Sequence, residues 1–392
     1  MTRSVFLAIL ILLFSHSALR GQNVEVFLVT CGPGTATYSI YGHSALRIIN
    51  HEKESDLVYN WGVFDFGTPN FVWKFARGRL DYMLGVYPYD KFLRDYFLEE
   101  RWVILQKINL EHDELNKLLM LIAENMKPGN ISYRYDFFYD NCSTRIRDLL
   151  EKALGEDLFY PPEESTKKML SFRELIRGYQ RPYQWLNFGI DLLMGSPADR
   201  KADVRNKMFL PLEMQNTLSS SLIRQDSKMT PLLQNSIIEL DFESPALKAR
   251  VITSPPIVFS IFMILIILLS GLVKDKKINL GIDVFVFSVF SLLAVFMIFF
   301  NFFTEHHELK LNPNIIWLNP LIIICLVCLI CDKPGRIWYR TVFYIALAYL
   351  VFPLFFPHMS NSAFVPLILI LLVRSSIRSE FSWNPFSKPY LT

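Results

Sequence analysis

Cysteine is scarce in the part of this chain that water can reach. Of five cysteines in 392 residues, only Cys31 and Cys142 precede the apolar C-terminal third. The other three, Cys325, Cys328 and Cys331, recur at i, i+3 and i+6 among apolar neighbours, with no matching His or Cys cluster. That pattern favours small packing residues over a metal centre. Charge imbalance is also missing. The formal net charge is only +3, and its basic residues are concentrated in loops between apolar stretches, so nucleic-acid binding is excluded as a function class. The apolar stretches contain almost no ionisable residues, which argues against an ion or solute pathway. No cell-wall-binding repeat is present. A clean A-x-A cleavage site is lacking as well, and Cys31 is too far from the N-terminal apolar run to read as a lipobox.

What is present sets a compartment. Arg3, the apolar run Val5–Phe14 and the small or polar residues Ser15–Gln22 form a secretory signal. Segment 1–21 is the expected signal peptide, with an uncleaved anchor as the alternative. Composition is ordinary and globular from Gln22 to about Val251. Five apolar stretches follow: Pro256–Val273, Leu280–Phe303, Ile315–Ile330, Thr341–Phe356 and Ala363–Val373. The first two are long enough for a hydrocarbon core that takes about 20 residues, and the others are shorter. Lys274, Lys276, Lys277, Lys333, Arg336, Arg340, Arg374 and Arg378 all fall after odd-numbered stretches. The positive-inside rule then places the globular part outside, in agreement with the signal. The expected order is an exported domain over 22–251 with a helical extension, a five-helix transmembrane bundle over 252–376 and a cytoplasmic tail over 377–392. The expected location is a bacterial inner membrane, multi-pass, with the soluble domain in the periplasm.

Within that domain Val24–Val29, Ser44–Ile49, Leu57–Phe64, Leu80–Gly85 and Arg101–Ile108 read as strands. His112–Met126 has helical spacing, and Asn141 or Asp140 can cap a second helix, Cys142–Leu154. Helical or irregular segments continue to Met214, and Gln215–Arg250 reads as a connector. The fold class is α+β, an antiparallel sheet packed on helices. A cysteine opening a helix feels the positive end of the helix dipole, which favours thiolate. With His43 on a neighbouring strand in reach, the pair is a nucleophile and its base. A third group would orient the imidazole. Asn60 is the first choice, with Asp65 and His51 as alternatives. A disulfide between Cys31 and Cys142 competes with this use of Cys142, and a buried cysteine is more commonly a packing residue. Spacing alone does not decide between these readings.

Three segments are more specific. Gly42-His43-Ser44-Ala45-Leu46-Arg47, Asn60-Trp61-Gly62-Val63-Phe64-Asp65-Phe66 and Asp140-Asn141-Cys142-Ser143-Thr144-Arg145-Ile146-Arg147-Asp148 resemble the N-terminal periplasmic domain of the Bacteroidota lipoprotein N-acyltransferase (Lnb) family. Phe209-Leu210-Pro211 resembles a later landmark of that domain. Glu305-His306-His307 with Asn312, Asn314, Asn319 and Pro320 resembles the family's membrane portion. The domain is similar, more distantly, to permuted papain-like NlpC/P60 proteins. The resemblance implies transfer of an acyl chain from a membrane phospholipid, through a thioester on Cys142, to the N-terminal amine of a diacylglyceryl-cysteine lipoprotein. No cofactor is implied. His43 and Asn60 would complete the catalytic group, with Tyr38, Tyr41, Asn141, Arg145 and His307 as candidate substrate contacts. Arg147, Arg77-Gly78-Arg79 with Tyr82, and His306 are further candidates for headgroup or interfacial contact. The rival functions are a peptidoglycan amidase using the same Cys–His chemistry and a non-catalytic membrane scaffold.

Overall fold

The computed structural model describes residues 24–163, 168–244, 251–356 and 359–381. The expected signal segment 1–21 and the tail beyond 381 lie outside them. The chain divides into two compact units. One comprises Met1–Asp65, Asp81–Ser165 and Asp203–Pro245; the other comprises Phe66–Leu80, Thr166–Ala202 and Ala246–Thr392.

Among the described residues, the first unit is built on ten strands. β1 (Val24–Cys31), β2 (His43–Asn50), β3 (Ser55–Val63), β4 (Asp81–Pro88), β5 (Val103–Lys107), β6 (Ser132–Arg134) and β10 (Ile237–Leu240) form a seven-stranded sheet in the order β10-β5-β1-β2-β3-β4-β6. All of its pairs are antiparallel. β7 (Leu158–Phe159), β8 (Leu222–Gln225) and β9 (Lys228–Pro231) form a second, three-stranded sheet. Successive side chains of a strand point to opposite faces, and β1 shows the consequence. Val26 and Leu28 join one core with Leu46, Ile48, Trp61 and the helices His112–Asn125, Cys142–Leu154 and Pro211–Ser219. Phe27, Val29 and Cys31 join the other, closed by Tyr89 and Phe92 of the helix Tyr89–Leu98.

The expectation of a connector from Gln215 onward is corrected here. Leu222–Pro231 is a β-hairpin, and Ile237–Leu240 pairs with β5 at the sheet edge across a register shift. The four-residue strands are too short to show a hydrophobic period, and the register shift breaks what little alternation exists.

Among the described residues of the second unit, three helical stretches are long and apolar enough to cross a membrane: Pro255–Leu272, Lys276–Phe302 and Arg336–Phe355. The stretch expected as a third span is a helix of only 10 residues, Leu321–Ile330, because Pro313 and Pro320 hold the preceding chain in a turn. The fifth is the 15-residue helix Phe364–Arg378. The sequence concealed one charged group. Asp283 sits fully buried, 2.5 Å from both Arg374 and Arg378. Arg374 also donates to Ser270 Oγ at 2.7 Å and Asn279 O at 3.1 Å, so the charges are paired and their donors used. The asparagines do more than cap a helix. Asn319 receives the Leu321 N–H, while Asn312 and Asn314 donate to the carbonyls of Leu192 and Leu193 or of Asp191 and Leu192. Those carbonyls end the helix Gln184–Leu193 and have no partner within it.

Candidate active site

Sheet register brings two polar side chains together. Arg47 of β2 pairs with Val58 of β3, so odd positions of β2 share a face with even positions of β3. His43 and Asn60 therefore lie on one face, near the end of the two strands. His43 Nε2 donates to Asn60 Oδ1 at 2.5 Å. The Asn60 amide is itself oriented, because Nδ2 donates to the Tyr87 hydroxyl at 2.5 Å. Asn60 pairs with Gly85 on β4, two places from Tyr87. A β-carbon at Gly85 would stand 2.9 Å from the Tyr87 ring. The glycine therefore leaves the space through which Tyr87 leans to reach Asn60. Gly42 has an equally local reason. Its φ is +81°, and a β-carbon there would meet the Cys31 carbonyl at 2.8 Å, so the turn that delivers His43 favours glycine.

Cys142 arrives from the other side of the sequence, as the first residue of the helix Cys142–Leu154. Asn141 caps that helix. Its Oδ1 accepts from the Ser143 and Thr144 N–H groups at 2.9 Å, and Thr144 Oγ1 accepts in return from the Asn141 N–H at 2.7 Å. The Asn141 Nδ2 donates to Phe137 O and Phe209 O, tying the cap to two other segments. The thiol faces the His43 imidazole and the Ser44 backbone N–H and lies 3.9 Å from Ser143 Oγ. Because Nε2 is held by Asn60, Nδ1 is the ring nitrogen left for sulfur. Cys142 and Cys31 are both free thiols, which removes the expected competition from a disulfide.

The two buried groups shift each other. Burial opposes charge on Cys142, but the facing His43 charge and hydrogen bond outweigh it and hold the thiol below its ordinary range. Burial likewise opposes charge on His43, yet the Cys142 charge, the Cys142 hydrogen bond and the Asn60 hydrogen bond raise it. The pair therefore favours thiolate and imidazolium, titrating as one coupled unit. Cys31 shows the contrast. Its burial outweighs the nearby Arg101 charge and the Tyr96 hydroxyl, so it is pushed up to about 12 and stays a neutral packing thiol.

The remaining candidates take other places. Asn141 is buried with its amide fully committed to the cap, so it positions Cys142 instead of facing solvent. Arg145 is clamped by Asp140, with Nη2 at 2.7 Å, and its guanidinium lies 3.8 Å over the Tyr133 ring. Arg147 is buried against Asp148 and the Arg205 carbonyl. Tyr41 packs edge-on against Phe137, and Tyr38 stands exposed in the preceding turn. His51 pairs with Glu25 at 3.1 Å, away from His43. His307 opens a short turn, His307–Leu309, in the second unit.

Tyr87 and Tyr133 also border the site, and no local sequence motif marks either. The Tyr133 hydroxyl is buried; the Gly62 N–H approaches its oxygen, while its own proton has no acceptor among the described residues. A β-carbon at Gly62 would stand 3.8 Å from Cys142 Cβ and 4.0 Å from the Tyr133 hydroxyl, so both border the same small space. Only the density of tyrosines around Asp140-Asn141-Cys142 hinted at this.

An antiparallel α+β domain with a thiol, an imidazole and an amide in series, joined to apolar helices of membrane-crossing length, defines a membrane protein with a cysteine–histidine site. Residues 14–176 match the Lnb N-terminal periplasmic domain, and residues 248–382 match the Lnb transmembrane domain. The chain belongs to the Lnb family, with a periplasmic domain followed by a transmembrane one. No curated protein and no solved structure matches it.

Proposed function

We propose that this chain is a lipoprotein N-acyltransferase of the inner membrane, using Cys142 as nucleophile, His43 as base and acid, and Asn60 to orient the imidazole. The observation that carries the reading is the Cys142–His43–Asn60 series, found in a chain whose two domains are those of the Lnb family. The thiolate attacks the ester carbonyl of a membrane phospholipid. The tetrahedral oxyanion collapses, the C–O bond breaks, and the leaving alkoxide takes the His43 proton to depart as lysophospholipid. The amine of a diacylglyceryl-cysteine then attacks the thioester, gives a proton to His43, and expels the thiolate. One acyl chain has moved from oxygen to nitrogen, and the site has returned to its starting charge.

Both steps develop negative charge on the carbonyl oxygen. The Cys142 N–H at the helix start and the unused Tyr133 proton are the donors that would meet it. Histidine and asparagine on adjacent strands before a cysteine-led helix support a permuted papain-like reading of the domain. Five membrane passes, with the basic loops inside, would keep the site at the surface where donor and acceptor both reside. The same thiol could open a peptide bond, but a wall amidase has no need of a membrane domain. The test is the full chain in a host lacking its own N-acyltransferase. Lipoprotein N-termini should gain one acyl chain by mass spectrometry with the native chain and none with Cys142→Ala or His43→Ala. Triacylated lipoproteins from Cys142→Ala would overturn the proposal.

A further inference from the structure

The segment 66–80, inserted between β3 and β4, contains the helix Phe71–Ala76, which has the sequence FVWKFA and buries none of its residues. Such a helix gains nothing from a protein core, yet it is firmly placed. It belongs to the same unit as the membrane helices and is tied to the end of Lys276–Phe302. The Glu305 N–H donates to Arg77 O at 2.8 Å, and Arg79 Nε donates to Glu305 Oε1 at 2.6 Å. His306 Nε2 lies 2.9 Å from Phe75 O, and the Trp73 ring packs on Phe299 at 5.5 Å. These contacts use the Phe75 and Arg77 carbonyls, the Arg79 guanidinium and one side of the Trp73 ring. The apolar side chains of Phe66, Val72, Trp73 and Phe75 remain half or more exposed.

The neighbouring surface says what covers them. Phe285, Val289, Leu292 and Phe296 form an exposed stripe at helical spacing along Lys276–Phe302, the face such a span turns to lipid. Phe299, on which Trp73 packs, and exposed Phe303 continue the stripe at the same spacing, and Phe75 is held by His306 just beyond. The end of a span sits at the hydrocarbon boundary. Aromatic rings with basic neighbours, here Lys74, Arg77 and Arg79, are the residues that boundary favours.

We infer that residues 66–80 form an interfacial wedge, fastened to the outer end of a membrane helix with its aromatic face set into the phospholipid headgroup–acyl boundary. Its partner is the bilayer itself, and the wedge is a contact of the periplasmic side with the leaflet independent of the acyl-transfer reading.

The test uses the full chain with Cys142→Ser, Cys328→Ala and Cys331→Ala, carrying an environment-sensitive fluorophore at Val72→Cys, in vesicles of phosphatidylethanolamine and phosphatidylglycerol. Val72 is exposed, so the label disturbs no packing; Phe66→Cys is a second site. The wedge predicts quenching by phospholipid with a nitroxide near the headgroup at least twice that by one near the chain end, and weak quenching by aqueous iodide. Iodide quenching as strong as for free dye, or stronger quenching from the chain end, at both sites would overturn it. Neither readout depends on catalysis, so a failed transfer assay leaves this result standing.

Discussion

The proposed chemistry rests on a few side chains holding one another's protons. Asn60 accepts from His43, and Tyr87 accepts from Asn60, so the ring is oriented before any substrate arrives. The direction of the shifts gives a pH profile. Cys142 is lowered and His43 raised, so the thiolate–imidazolium pair exists between the two values. It is lost as pH falls through the lowered thiol value, when sulfur takes a proton. It is lost as pH rises through the raised imidazole value, when the ring gives its proton up and the bare thiolate remains. Alkylation of Cys142 by iodoacetamide should therefore persist well below the ordinary thiol range near about 8.5. His43→Ala should move the profile up to that range or beyond, since burial alone raises the thiol. Tyr133→Phe should leave the alkylation profile unchanged while slowing acyl-thioester formation by about 100-fold, the scale of losing one oxyanion donor. An unchanged acylation rate in that variant would remove Tyr133 from the mechanism.

At the scale of elements, the N-terminus of the Cys142–Leu154 helix is the part that must not move. Asn141 binds two helix N–H groups and two carbonyls from elsewhere, so Asn141→Ala should cost about 1 kcal/mol for the cap, within a range of roughly 0.5–2, with further loss from the stranded Phe137 and Phe209 carbonyls. The check is a lower melting temperature of the full chain in detergent together with slower alkylation of Cys142. This helix was legible in the sequence because its signals are local: a capping Asn, then Ile146, Leu149 and Leu150 at helical spacing. The first five strands were legible for the same reason, with Val24–Cys31 only two residues longer than its apolar core suggested. What was not legible depends on partners far away in sequence. Tyr87 reaches Asn60 because a strand pairing places Gly85 between them, and no periodicity reports that. Ile237–Leu240 is a strand only because β5 offers an edge. Asn141 and Arg145 read as polar residues beside a nucleophile, yet their hydrogen bonds are taken by the cap and by Asp140.

For the whole molecule, the sequence conveyed an exported domain ahead of apolar helices, and the family's periplasmic and transmembrane domains follow that order. It did not convey that residues 66–80 and 168–202 pack with the membrane helices, since contacts distant in sequence decide membership of a unit. Nor did it show that Asp283 anchors Arg374 and Arg378 inside the bundle. Removing one member of such a buried group strands the others, so Asp283→Leu should destabilise the chain by about 3–5 kcal/mol. Adding Arg374→Met to that variant should recover most of the loss, because the remaining Arg378 reaches solvent. Thermal melts of the three chains in detergent check this, and a double variant no better than the single one would contradict it.

The central claim is that Cys142 carries the acyl chain in transit. Its most direct measurement is incubation of the full chain, in vesicles of phospholipid with a radiolabelled acyl group and no acceptor, followed by denaturation and peptide mapping. The label should be found on the peptide containing Cys142, be released by neutral hydroxylamine as a thioester is, leave when a diacylglyceryl-cysteine peptide is supplied, and be absent from Cys142→Ser. Native chain that transfers acyl groups to that peptide without ever bearing label on Cys142 would contradict the account.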